Sequence, residues 1–477
     1  MRGGNLQGDL DRATFDPVDR FASVLHQQGR VLLPSDLNEQ IAIHHHFLRQ
    51  LIRDLKGRSW RPEDGFQLSV AGGVIEISAG HFYVDGILCE NEAACRYEDQ
   101  PHQPISLKVL ESLTKLLDKG EPFAFYLDCW ERHVTWLNEP RLREVALGGP
   151  DTSTRLQIAW QILPLSPAGA QDELAQVMAA LGRAGNDAKK KDVEKVKNDL
   201  QPVPKEVEKL ATALKNALGA FDAAVPLLAA DAKRVDEDVD PCDLIADAEY
   251  RGRENQLYRV EIHRPGHGVS GPSKGRPGDP PPAAFTWSRE NASIVYKVLD
   301  VEADPGAGIT RVTVESLGWD RRSGLSTGDW VALGDRQTEM RREVRPLLKV
   351  VGIDVQRRTV TLQGVRTVDP TDQAILRRWD HRGDPDADGA IVVNESTTEW
   401  IELERGVRIR FSPGGWYPAG AYWLIPARVV TGDVDWPKDN GTPRAREPQG
   451  VKHHRALLAV LTPGPGPDRF KVHNEVA

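Results

Sequence analysis

The chain has 477 residues, 40% of them hydrophobic and 27% charged. That is ordinary soluble composition in a chain too long for one domain, and roughly three or four modules are expected. The net charge of −9 excludes a broad basic surface for nucleic acid. Four cysteines, Cys89, Cys95, Cys129 and Cys242, are too few for a disulfide framework and lack zinc spacing, so buried reduced thiols are expected. The opening residues hold no apolar core of a signal peptide, and no run reaches the length of a membrane span. Cytoplasmic synthesis without a transmembrane segment is the expectation.

Residues 1–60 read as a polar, Gly-rich arm followed by a helix. Apolar residues flank the turn Gln27-Gln28-Gly29-Arg30, and Pro34 closes the extended part. Asp36 is the expected N-cap, with Glu39 as its capping-box partner. Leu37, Ile41, Leu48, Leu51, Ile52 and Leu55 then fall at helical spacing, and Lys56-Gly57 ends the run. An arm feeding an amphipathic helix suits docking. It equally suits a helix that closes its own core.

Residues 61–166 alternate as a β module. The Asp85-Gly86 pair between apolar runs is a strong hairpin signal, and strands follow at 123–130 and 156–163. Residues 167–235 are rich in Ala, Lys, Glu and Leu, with apolar residues at helical spacing, so an inserted helical hairpin or small bundle is predicted. Short strands at close intervals return in 236–365, including a small barrel-like part, and again in 366–477. The predicted fold is therefore mainly β and multi-module, with an N-terminal helix and a helical insertion.

Several landmarks in this order resemble a domain family of unknown activity. They are Gln27-Gln28-Gly29-Arg30-Val31 with Asp36-x-Asn38-Glu39-Gln40, and Gly80-His-Phe-Tyr-Val-Asp-Gly86. They continue through Glu144-x-Ala-Leu-Gly-Gly-Pro-Asp-Thr152, Tyr250-Arg-Gly-x-Glu-Asn-Gln-Leu-Tyr-Arg-Val-Glu-Ile-His263 and Phe285-x-Trp-Ser-Arg-x-Asn291. Leu376-Arg-Arg-Trp-Asp380, Tyr422-Trp-Leu-Ile-Pro-Ala-Arg428 and His453-His454 complete the set. The family is encoded in gene clusters of phage-tail-like contractile injection systems. The resemblance implies a particle component and assigns no reaction. The expected partners are baseplate or tail proteins and further copies of this chain, in a particle assembled in the cytoplasm and open to release. The docking face is expected to carry Gln27, Gln28, Arg30, Asn38 and Glu39.

Candidate chemistry is sparse. His44-His45-His46 are adjacent on a helix and point about 100° apart, so they cannot converge on one metal, and His453-His454 share the defect. A histidine bonded to a neighbouring strand or subunit is the expected role. Asp384, Asp386, Asp388 and Glu395 match the spacing of a calcium-binding EF-hand loop, with Gly389 at the turn. The flanks read as strands, so a plain acidic turn competes with calcium. Asp85, Glu90, Asp128 and Glu131 could form a glycosidase pair. The chain has no zincin motif or P-loop, and no catalytic residue or cofactor is assigned. The leading expectation is a structural, non-enzymatic particle subunit near the baseplate. A receptor- or glycan-binding module, its platform drawn from the tryptophans of the second half, is the alternative, ahead of a glycan-cleaving enzyme.

Overall fold

A computed structural model of the chain describes residues 7–8, 10–11, 13–71, 74–101, 113, 123–165, 225–232, 250–270, 281–320, 322–340, 344–382, 385–463 and 470–474. The architecture is mainly β, with several sheets and a closed barrel. The predicted helices of 167–224 lie outside the described residues. The end of that segment is described, and Leu228–Ala232 is a strand rather than helix. Among the described residues, no helix is long and apolar enough to cross a membrane.

The N-terminal helix, α1, is Pro34–Lys56. Pro34 begins it rather than ending the arm. At the first helical position its missing N–H loses no bond. Leu33, not Asp36, occupies the N-cap and supplies no side-chain bond. The cap comes from the arm, where the Asp11 carboxylate accepts the Ser35 N–H at 3.0 Å. Glu39 is likewise taken by the arm, through the Thr14 hydroxyl. The Gln27–Arg30 turn forms as predicted, the Arg30 N–H reaching the Gln27 carbonyl at 3.3 Å, but its flanks pair with no strand.

The first β module is built on a four-stranded antiparallel sheet. Its order is Phe470–His473, His454–Pro463, Phe123–Val134, Arg155–Leu165. The C-terminal strand thus lies beside a strand more than three hundred residues earlier, so 366–477 is not one consecutive module. Period-two alternation sends Phe123, Phe125, Leu127 and Cys129 to one face. There they pack with Phe66, Phe82, Trp160 and Leu458. The Gly80–Val84 and Ile87–Asn91 hairpin covers this core. Its turn residues Asp85 and Gly86 have φ of 50° and 80°, the two positive values a type I′ turn requires.

The second module is a sandwich. One sheet runs Ile391–Val392, Ala284–Ser288, Gln256–Arg264, Tyr422–Arg428, Asp433–Val434. The other is centred on Val407–Phe411, flanked by Ile401–Glu404 and Leu228–Ala232. Tyr258, Val260, Phe285, Trp287, Phe411 and Trp423 fill the space between them. The barrel is inserted between two strands of this sandwich. It closes through Val295–Asp304, Ile309–Val314, Thr359–Gln363, Leu348–Asp354, Trp330–Gly334 and Ile375–Trp379. Its last strand lies beyond residue 365, where the sequence reading ended it. Alternate residues such as Val312, Val314, Val360 and Leu362 fill the interior.

Several sequence landmarks turn out to join these modules. Arg289, in the Trp-Ser-Arg run, bonds Asp380 of the barrel at 3.1 Å and Glu404 of the sandwich at 2.6 Å. Fully buried Arg259 bonds Asn291 at 3.1 Å and Glu261, and lies 3.6 Å over the Tyr422 ring. The arm reaches the same junction. The Gln7 N–H donates to His133 of the first module at 3.3 Å, and its amide donates to Glu261 of the sandwich at 3.2 Å. The Gly8 N–H donates to the Asn291 carbonyl and the Asn291 side-chain amide donates to the Gly8 carbonyl, both at 3.0 Å.

Candidate functional site

The inner face of α1, the arm, the Asp85-Gly86 turn and residues 444–455 enclose a cleft of about 1640 Å³. Small residues let α1 come close. Ala42 and Ser35 are buried on its inner side. A Cβ added to Gly86 would lie 2.4 Å from the Arg49 carbonyl, so the helix backbone rests on the bare glycine.

Two of the acids singled out in the sequence, Asp85 and Glu131, meet at this helix. The Asp85 carboxylate takes Nδ1 of His454 at 2.8 Å and Nε of Arg58 at 2.9 Å. A carboxylate only accepts, so His454 Nδ1 carries the proton. Burial pushes the Asp85 carboxyl up, but hydrogen bonds from His454 and Arg58 outweigh it and hold it well below the usual carboxylate range. Glu131 extends beyond Cys129 on the same strand and takes Nη2 of Arg49 from α1 at 2.7 Å. Asp128, on the other face, takes His453 Nδ1 at 2.9 Å, with Arg455 at 3.7 Å. Adjacent histidines entering a strand face opposite ways, so His453 and His454 serve different acids. Glu90 does not join them. It lies on the surface, 3.6 Å from His81.

This arrangement fastens elements together. A glycosidase acid must keep its proton near neutral pH, and Asp85 is held ionised. The three histidines of α1 diverge as the helix geometry requires. His44 pairs with Gln40 at 2.9 Å, His46 lies tilted against Phe15, and His45, beside it on the cleft wall, has its affinity for a proton lowered by burial.

Of the four calcium-pattern acids, Asp384 lies outside the described residues. Asp386 and Asp388 are clasped by the guanidinium of Arg264. Glu395 turns elsewhere, accepting the Gly414 N–H at 3.1 Å, and its other oxygen has no hydrogen-bond partner. No group of three or more potential metal ligands occurs among the described residues. Arg264, 120 residues before the loop, gave no local signal of this role. Of the tryptophans, Trp287, Trp379, Trp423 and Trp436 are core, Trp400 lies between Arg408 and Arg410, and Trp416 stands against His267. Of the docking residues, Gln27, Gln28, Arg30 and Asn38 are exposed, whereas Glu39 is tied to Thr14.

Fold and cleft together define a multi-module β protein with an arm and a helix latched across its outside. The chain belongs to a family of unknown function, DUF6519, whose model matches residues 6–223 and 199–464. No curated protein and no solved structure matches it.

Proposed function

We propose that the chain is a structural, non-enzymatic subunit of a contractile, phage-tail-like injection particle, seated at or near its baseplate. One observation carries this reading. Among the described residues, eleven of the twenty-four large hydrophobic side chains left exposed lie between Phe21 and Leu55. A monomer seldom leaves such a patch uncovered, whereas a subunit covers it on joining its neighbours. The acids of the cleft support the same reading, since each is spent on a basic partner that fixes an element. The kind of assembly comes from the resemblance to a family encoded in injection-system gene clusters.

The test is incorporation. Leu48→Glu with Leu51→Glu changes only exposed side chains of α1. Particles made with this variant, weighed by mass spectrometry, are expected to lack the subunit while its circular dichroism is unchanged. Normal incorporation would sink the docking role.

A receptor- or glycan-binding role is favoured by one feature, the cleft itself, with Trp416 and Trp436 on its wall beside Arg49 and His46. A glycan-array signal lost on Trp416→Ala would select that reading.

A further inference from the structure

We propose that α1 pairs with α1 of a second copy of this chain, antiparallel, through the face it turns to solvent. This rests on the reading of α1 as an interface, and names the partner.

The spacing carries the argument. Leu37, Ile41, His44, Leu48, Leu51 and Leu55 follow one another by four, three, four, three and four residues. That is the 3.5-residue repeat of a coiled-coil seam, not the broader stripe of a helix lying on a core. The structure leaves the five aliphatic members 47–71% exposed. The helix packs on its own molecule with the opposite side, where Ser35 and Ala42 are buried and Arg49 holds Glu131. At 100° per residue the two faces lie on opposite sides of the axis. The aliphatic members of the seam are therefore open to solvent, and His44 between them is held by Gln40, which the arm fixes through the Val24 N–H; such preordering lowers the cost of association.

Self-pairing fits in one direction. A twofold axis level with residue 46 sets Leu37 against the partner's Leu55 and Ile41 against the partner's Leu51. His44 then meets the partner's Leu48, so each layer holds at least one aliphatic side chain. A parallel pair would bury His44 against the partner's His44, two polar rings in one layer. The antiparallel arrangement also sets the acidic first turn, with Asp36, level with the basic last turn of the partner, which carries Arg53 and Lys56.

The seam supplies the apolar centre of the contact. The seam from Leu37 to Leu55 is about 27 Å long at 1.5 Å per residue. Fully burying one such side chain removes on the order of 100 Å². The five aliphatic members of the seam, 47–71% exposed, thus offer on the order of 300 Å². A stable interface takes about 800 Å² per partner, so the polar flanks of α1 and the exposed apolar residues of the arm must join the contact.

The full chain, free of other proteins, should be measured by sedimentation equilibrium from about 1 to about 100 µM. A dimer is expected, and Leu48→Glu should weaken it by at least about a hundredfold with unchanged circular dichroism. Under mild oxidation, Ile41→Cys with Leu51→Cys should give a linked dimer, while Leu51→Cys alone and the wild type should not. A monomer across the whole range overturns the proposal. If that monomer still loses incorporation on Leu48→Glu, α1 remains an interface, and a different chain covers it. Linking by Leu51→Cys alone overturns the antiparallel direction.

Discussion

Nδ1 of His454 lies 2.8 Å from the Asp85 carboxylate, joining the last long strand to the Gly80–Asn91 hairpin across 369 positions of sequence. The contact closes the first module and anchors the turn on which α1 rests. Asp85→Asn keeps the shape but removes the charge that His454 and Arg58 share. We expect it to cost about 2–3 kcal/mol, the range for hydrogen bonds to a charged group. Because the folded carboxyl is depressed, its contribution is full above the unfolded value near 4 and is lost as pH falls through the lower folded value. Urea denaturation of both proteins at neutral pH and in acid measures this. Equal stability at neutral pH would rule the anchor out.

Buried histidines contribute to the response to milder acid. Burial lowers His133, with Arg377 and Arg259 adding to it, and lowers His381, each from 6.5 to about 4. Between those values the unfolded chain binds protons that the folded chain refuses. Stability is therefore full above about 6.5 and falls as pH drops toward 4, by roughly 3 kcal/mol per histidine. Burial lowers His263 as well, so His381→Gln should flatten the slope of denaturation midpoint against pH in part, by about a third. An unchanged slope would assign the acid response elsewhere.

Gly86 is expected to tolerate no side chain. Its φ of 80° disfavours a Cβ, and the Cβ would meet Arg49 backbone at 2.4 to 2.9 Å. Gly86→Ala should lower stability by about 1–3 kcal/mol and speed hydrogen exchange across α1 more than across the barrel. A uniform change in exchange would mean that α1 is not held at this point.

Calcium at the acidic loop competes with Arg264. The clasp on Asp386 and Asp388 must open before a cation can enter. Excess calcium should therefore raise the melting temperature of the wild type little, and that of Arg264→Gln more, by mass action on the released carboxylates. Asp388→Ala added to Arg264→Gln should remove the gain. A large shift in the wild type would show that the cation displaces the arginine.

The arm is expected to be needed for folding near its start and for assembly further on. Removing residues 1–8 takes away the Gln7 bonds to His133 and Glu261 and should lower the melting temperature by a few degrees, about 1–2 kcal/mol. Gln27→Ala with Gln28→Ala, on an exposed turn, should leave it unchanged. The reverse pattern would exchange these roles.

What the sequence determined by itself was whatever depends on neighbours a few residues away. Helical period placed α1. Alternation placed most strands and the barrel, because its interior is filled by every second residue of short segments. Asp85-Gly86 announced its hairpin, since few pairs adopt two positive φ values. The divergence of His44, His45 and His46 followed from helix geometry. Tertiary structure alone decided the rest. Pro34 starts the helix because Asp11, more than twenty residues earlier, supplies the missing cap. His454–Pro463 belongs beside Phe123–Val134, and the acidic loop closes on Arg264, through contacts that no local pattern encodes. The partners of Asp85, Asp128 and Glu131 were decided in the same way. Each acid is defined by the base facing it, and His454, His453 and Arg49 arrive from distant elements. Backbone propensity acts over a turn or a strand pair, whereas the partner of a charge is chosen by which surfaces pack together once the core has formed.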